Sequence, residues 1–278
     1  MGLVLGVVLA AAAWTVTPAE LQARPAGVVT VLDARGLLDH WRGHIPGAVR
    51  ITWWWYRDGW LRTGRLPRDL DRLARQMGDL GVDAERPVVV YGRAQEGWGE
   101  EGRIVWMLRY LGHPDAAVLD GGWAAWRAAG GAVARGPAAS PRPGRFAARP
   151  RPELRAGADD VAAATHTGAA LLDVRSDAEW RGATPHFEAR GGHVPGAVHL
   201  PWTALLDAGG RVDRSGGALA RLAELGVTPD RPVIVYCTGG VRSSAALVAL
   251  MALGFRDVRN YDGSWFEWAA DRRRPVAH

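Results

Sequence analysis

Hydrophobic positions along this chain come in two kinds of block. Short runs of β-branched residues such as Val88-Val89-Val90-Tyr91 and Val233-Ile234-Val235-Tyr236 are apolar at successive positions. They predict strands covered on both faces rather than half-exposed ones. Longer apolar stretches, Leu219 to Leu225 and Ala245 to Leu253 among them, predict helices. Strands alternating with helices predict an α/β fold, a mainly parallel sheet flanked by helices on both faces. In such sheets the sites lie beyond the carboxyl ends of the strands.

The pattern occurs twice. Val31-Leu32-Asp33-Ala34-Arg35 returns as Leu172-Asp173-Val174-Arg175, and Gly43-His44-Ile45-Pro46-Gly47-Ala48-Val49 as Gly192-His193-Val194-Pro195-Gly196-Ala197-Val198. Arg86-Pro87 leads into one β-branched run and Arg231-Pro232 into the other. Asp120-Gly121-Gly122-Trp123 returns as Asp262-Gly263-Ser264-Trp265. The blocks keep their order, at offsets of 140 (Asp33 to Asp173), 149 (Gly43 to Gly192), 145 (Arg86 to Arg231) and 142 (Asp120 to Asp262). A repeat this long predicts two homologous domains, 14–133 and 159–278. The Pro-, Arg-, Gly- and Ala-rich span 134–158 reads as a linker. Residues 1–13 are almost wholly apolar and end in four alanines. They are too short to span a bilayer. We read them as an export leader lacking its basic start, the alternative being an apolar segment packed on the fold.

Composition narrows the function classes. All 34 basic residues are arginine, scattered among 29 acidic ones, and the formal charge is +5. No nucleic-acid-binding motif accompanies them, so no nucleic-acid partner is expected, nor stable membrane insertion. The eight histidines lack metal-ligand spacing, and no metal or other cofactor is expected. The single cysteine excludes an internal disulfide.

That cysteine, Cys237, ends the second β-branched run and opens the loop Thr238-Gly239-Gly240-Val241-Arg242-Ser243-Ser244 before a helix. A strand–loop–helix layout points backbone N–H groups and the positive helix end at the sulfur, which favours the thiolate. Gly239 and Gly240 permit a tight curl. Ser243 or Ser244 caps the helix or donates to the sulfur, and capping is the assignment made for Ser244. Arg242 either receives an oxyanion or braces the loop through a salt bridge. Features present in both copies read as architecture: His44 and His193 in a turn, Asp33–Arg35 and Asp173–Arg175 as ion pairs, Asp120/Trp123 and Asp262/Trp265 as turns with a packed indole. Trp53-Trp54-Trp55 is assigned to core or interface packing.

Taken together, these blocks resemble the rhodanese, or sulfurtransferase, family in its tandem two-domain form, from about Thr17 to the C-terminus. The resemblance implies two rhodanese-like domains, an inactive first copy with Gly92 where the second has Cys237, and transfer of a sulfane sulfur through a Cys237 persulfide cradled by Thr238, Gly239, Gly240, Val241, Arg242 and Ser243. It implies a small sulfur donor and a thiol, such as thioredoxin, or cyanide as acceptor, and a monomer is expected. Related phosphatases place arginine six positions after cysteine. Here it is five, and that spacing disfavours phosphatase and arsenate reductase readings. A persulfide carrier with little turnover of its own remains the alternative. The loop departs from the Arg and Lys of thiosulfate sulfurtransferases and from the terminal Thr of mercaptopyruvate sulfurtransferases. It is closest to the Cys-x-x-Gly-x-Arg-Ser form of single-domain rhodaneses. Where relatives carry a substrate-binding arginine this chain has Glu179, with Arg181 close by. Thiosulfate is favoured over 3-mercaptopyruvate as donor.

Overall fold

In the computed structural model, which describes residues 13–58, 63–138 and 140–278, the β-branched runs form the inner strands of two sheets. The first comprises β1 (Thr15–Val16), β2 (Thr30–Asp33), β3 (Val49–Arg50), β4 (Val88–Tyr91) and β5 (Ala116–Leu119) in the order β1-β5-β4-β2-β3. The second comprises β6 (Arg155–Ala156), β7 (Ala170–Asp173), β8 (Val198–His199), β9 (Val233–Tyr236) and β10 (Val258–Tyr261) in the equivalent order β6-β10-β9-β7-β8. Every pairing is parallel. Both β4 and β9 are buried at all positions, as helix-covered parallel strands must be. Residues 1–12, most of the expected leader, lie outside the described residues. Strand β6 falls within the span expected as linker, so the second sheet takes its edge strand from there.

The repeated blocks recur because they meet in space. Register pairs Asp33 with Tyr91 and Asp173 with Tyr236, so each aspartate ends its strand beside the tyrosine that precedes Gly92 or Cys237. Asp33 pairs with Arg35 at 2.7 Å and Asp173 with Arg175 at 2.6 Å, all four side chains buried. Each guanidinium also donates to the Gly-His turn, at the Gly43 and Gly192 carbonyls, and lies over the Trp123 or Trp265 indole. The turns Ile45–Ala48 and Val194–Ala197 close by backbone hydrogen bonds of 2.9 and 3.1 Å. Gly47 and Gly196 both have φ of 79°, as the third residue of a type II turn requires. His44 Nδ1 bonds the His40 carbonyl and His193 Nδ1 the Trp180 carbonyl. Each histidine thus bonds neighbouring backbone, the contact expected of it in the turn.

The two copies share one core. Helix Glu100–Tyr110 of the first packs on helix Arg242–Ala252 of the second, so closely that a Cβ on Gly102 would lie 2.5 Å from Ala245 Cα. Ile104 to Leu108, five successive apolar residues that together cover every side of the helix, are fully buried. The paired aspartates were expected only to shape turns. They also tie the copies together. Asp120 accepts from the Val212 N–H at 2.9 Å and from Arg214, while Asp262 accepts from the Leu66 N–H at 3.0 Å and from Arg155. Each copy's aspartate holds a loop of the other.

Candidate active site

Cys237 follows β9 at its carboxyl end, on the floor of a cavity of about 640 Å³ between the copies. The loop curls because Gly240 adopts φ +80°, and a Cβ there would meet the Asp262 carbonyl oxygen at 2.5 Å. The curl brings the Gly240 N–H to 3.1 Å and the Ser243 hydroxyl to 3.5 Å from Sγ, both as donors. Burial alone would raise the Cys237 thiol. The Arg242 charge, the Ser243 hydroxyl and N–H and the Gly239 N–H outweigh burial, and the pKa falls below the ordinary thiol value.

Arg242 opens the helix that follows, with Val241 as its N-cap. Its guanidinium grips Glu179, one nitrogen to each carboxylate oxygen at 2.7 Å, and donates to the Thr238 hydroxyl at 2.6 Å. Thr238 in turn donates to Glu179. Burial pushes Glu179 up, but Arg242, Thr238 and Ser176 pull it well below the usual carboxylate range. Of the two roles open to Arg242 in the sequence, bracing is the one its hydrogen bonds satisfy. Its charge still acts on the sulfur. The Thr238 hydroxyl is spent on Glu179, while the contact expected of Thr238 with the persulfide is through its backbone N–H.

Other expectations need correction. Glu179 does not line the cavity but lies behind the loop. Arg181 is exposed and off the cavity wall, because two residues beyond Glu179 on a helical turn point to a different side. Ser244 does not cap the helix, which starts two residues earlier; its hydroxyl donates to the Gly240 carbonyl and accepts from Asn260. Trp53 packs partly against the core, whereas Trp54 and Trp55 are 58% and 75% exposed. The Trp53–Tyr56 turn is 3₁₀, with about three residues per turn, so successive indoles cannot all face inward.

Ser264 went unnoticed in the sequence. It stands where the first copy has Gly122, at φ +51°, and its hydroxyl accepts the Cys237 N–H at 3.1 Å while donating to the Tyr261 carbonyl. That glycine-to-serine difference inside a repeated block was the available signal. A second signal was the rise in offset from 140 to 149, which marks nine residues, 183–191, present only in the second copy. Pro185, His186 and Phe187 from this insertion line the cavity, opposite Trp53, Trp54 and Trp98 of the first copy. Trp98 lies over the Arg242 guanidinium at 5.4 Å and meets the His186 ring edge-on.

The first copy shows what the same scaffold does without a cysteine. A Cβ on Gly92 would lie 2.0 Å from Glu101 Oε2, so a carboxyl group fills the equivalent place. Burial pushes Glu101 up to about 8. Among the described residues, Glu179, His186 and Glu188 bring three metal-ligand atoms within 4.8 Å of one another. Both Glu179 oxygens already hold Arg242, whose guanidinium takes the cation's place.

Comparison with known proteins agrees with this architecture. The rhodanese-like domain model matches residues 17–129 and 157–271. The chain is 35% identical to the sulfur carrier protein TtuD of Thermus thermophilus, covering 84% of this chain and 85% of that one. It is 33% identical to a thiosulfate sulfurtransferase of Azotobacter vinelandii, covering 94% and 96%. The crystal structure of SseA from Escherichia coli, a 3-mercaptopyruvate sulfotransferase, superposes with a TM-score of 0.79 at 30% identity, covering 91% and 99%. The chain belongs to the rhodanese family, as a tandem two-domain sulfurtransferase.

Proposed function

We propose that Cys237 is the nucleophile, that it holds the transferred sulfur as a persulfide, and that thiosulfate is preferred to 3-mercaptopyruvate as donor. The observation that carries this reading is the position of Sγ, facing the cavity and accepting from the Gly240 N–H and the Ser243 hydroxyl. In the first half-reaction the thiolate attacks the sulfane sulfur and the rest of the donor leaves as an anion. The loop N–H groups and the Arg242 charge then stabilise the persulfide anion. In the second half-reaction a thiol, thioredoxin or a smaller one, or cyanide removes the outer sulfur.

The donor preference rests on Arg242. A 2-oxo acid needs a fork for its carboxylate, and the loop's only guanidinium is engaged with Glu179. Thiosulfate is a compact anion that the loop amides and the local positive field serve without a dedicated fork. Steady-state turnover with cyanide tests this: kcat/KM for thiosulfate should exceed that for 3-mercaptopyruvate, and the reverse order would refute the preference. Similarity to TtuD favours a second reading, a sulfur carrier. A carrier would load fully in a single turnover yet cycle slowly with every small acceptor.

A further inference from the structure

Two features of the chain are unused by the chemistry at the sulfur: the Trp53-Trp54-Trp55 run and the nine-residue insertion of the second copy. Both reach the same cavity. At its mouth stand Trp54, 58% exposed, Trp98, 52% exposed, and Phe187, 83% exposed. Phe187 holds φ +63°, a conformation that non-glycine residues rarely adopt and that persists where the surrounding structure imposes it. The insertion is anchored by Arg190, whose guanidinium donates to the Trp268, Ala269 and Asp271 carbonyls and whose own carbonyl accepts from the Trp265 indole N–H; within it the buried Glu188 carboxylate accepts the His186 N–H at 3.0 Å. Rings from both copies thus converge above Cys237. A cavity of about 640 Å³ matches those that enclose drug-sized ligands. Thiosulfate and cyanide fill only its floor.

We propose that the sulfur acceptor is a thiol borne on a flat aromatic or heteroaromatic body that packs against Trp54, Trp98 and Phe187 while its sulfur reaches the Cys237 persulfide. This rests on the persulfide reading above. The acceptor thiolate, its proton released to solvent, attacks the outer sulfur of the persulfide. A new S–S bond joins acceptor and outer sulfur. The bond from Sγ to that sulfur breaks, and its electron pair stays on Sγ as the thiolate. The acceptor leaves as a persulfide anion, and no external oxidant or reductant enters.

The test separates the two claims. Protein is first loaded with thiosulfate and its intact mass measured; no gain of sulfur counts against the persulfide itself. Loaded protein is then discharged by 3-phenylpropanethiol or by propanethiol, alkyl thiols of matched basicity, at concentrations below saturation. The second-order rate constant for 3-phenylpropanethiol should be about tenfold the larger, the effect of roughly two aromatic contacts. That ratio should fall towards one in Trp54→Ala and in Phe187→Ala, and a variant that still loads with thiosulfate is folded. Equal discharge of the loaded wild-type protein by the two thiols, or a preference unchanged in both variants, would overturn the aromatic acceptor while leaving the persulfide standing.

Discussion

Arg242 and Glu179, 63 residues apart in sequence, form a two-pronged ion pair behind the cysteine loop, both contacts at 2.7 Å and both side chains buried. The pair fixes the start of the helix that follows Cys237 and keeps a positive charge beside the sulfur.

Glu179→Gln leaves that guanidinium half-paired in a buried place, and breaking one partner of such a pair costs about 3–5 kcal/mol. Thermal unfolding should shift down by roughly 5–9 °C. Glu179 ionises below the usual carboxylate range in the folded chain. Its stabilisation is complete above the unfolded value of ~4.3 and declines as pH falls from there through the folded value. The variant should therefore lose less stability than wild type on acidification from about pH 5 to pH 3. An unchanged melting temperature at pH 7 would contradict the bracing role.

The pH dependence of cysteine alkylation reports the charge balance at Sγ. Wild-type Cys237 should react with iodoacetamide with a midpoint below that of an ordinary thiol, because Arg242, Ser243 and Gly239 outweigh burial. Arg242→Gln removes the positive charge and should move the midpoint up. Glu179→Gln removes the negative charge behind it and should move the midpoint down. Shifts of the two variants in the same direction would show that loop disorder, not charge, governs the thiol.

Ser264→Gly gives the second copy the residue of the first. The Cys237 N–H loses its acceptor, while relief of the positive φ offsets part of the cost. A hydrogen bond of about 1 kcal/mol corresponds to a roughly fivefold fall in kcat/KM for sulfur transfer, with little change in melting temperature. Full activity in this variant would remove Ser264 from the site.

Gly92→Cys tests whether the first copy lacks only a nucleophile. Its Cβ would overlap the Glu101 carboxyl, so the variant should lose about 1–3 kcal/mol of stability and take up no second sulfur. A second persulfide on the variant would show that Glu101 does not block the place.

The parts legible in the sequence were those that repeat. Asp33–Arg35, the Gly-His turn, the Tyr91 position and the Trp123 indole recur in the second copy because all four meet at the strand ends, and losing one would break the network. Cys237 was legible for the opposite reason, as the residue that breaks the repeat. What could not be read were partnerships across long sequence distance. Nothing local in Glu179 marks it as the Arg242 partner, and the family resemblance placed it beside substrate instead. The ties from Asp120 to Val212 and from Asp262 to Leu66 cross between copies, whereas matching the blocks of one copy to those of the other shows only the turn they share. Arg181 misled because its type suits an anion, whereas its position on the helical turn faces solvent.

The central claim is that Cys237 carries the sulfur. Intact mass measured after incubation with thiosulfate, and again after cyanide, tests it directly. The protein should gain the mass of one sulfur atom and lose it to cyanide, and Cys237→Ser, folded but without the thiol, should do neither. No sulfur gained from either thiosulfate or 3-mercaptopyruvate, or sulfur transfer to cyanide by Cys237→Ser, would contradict the account.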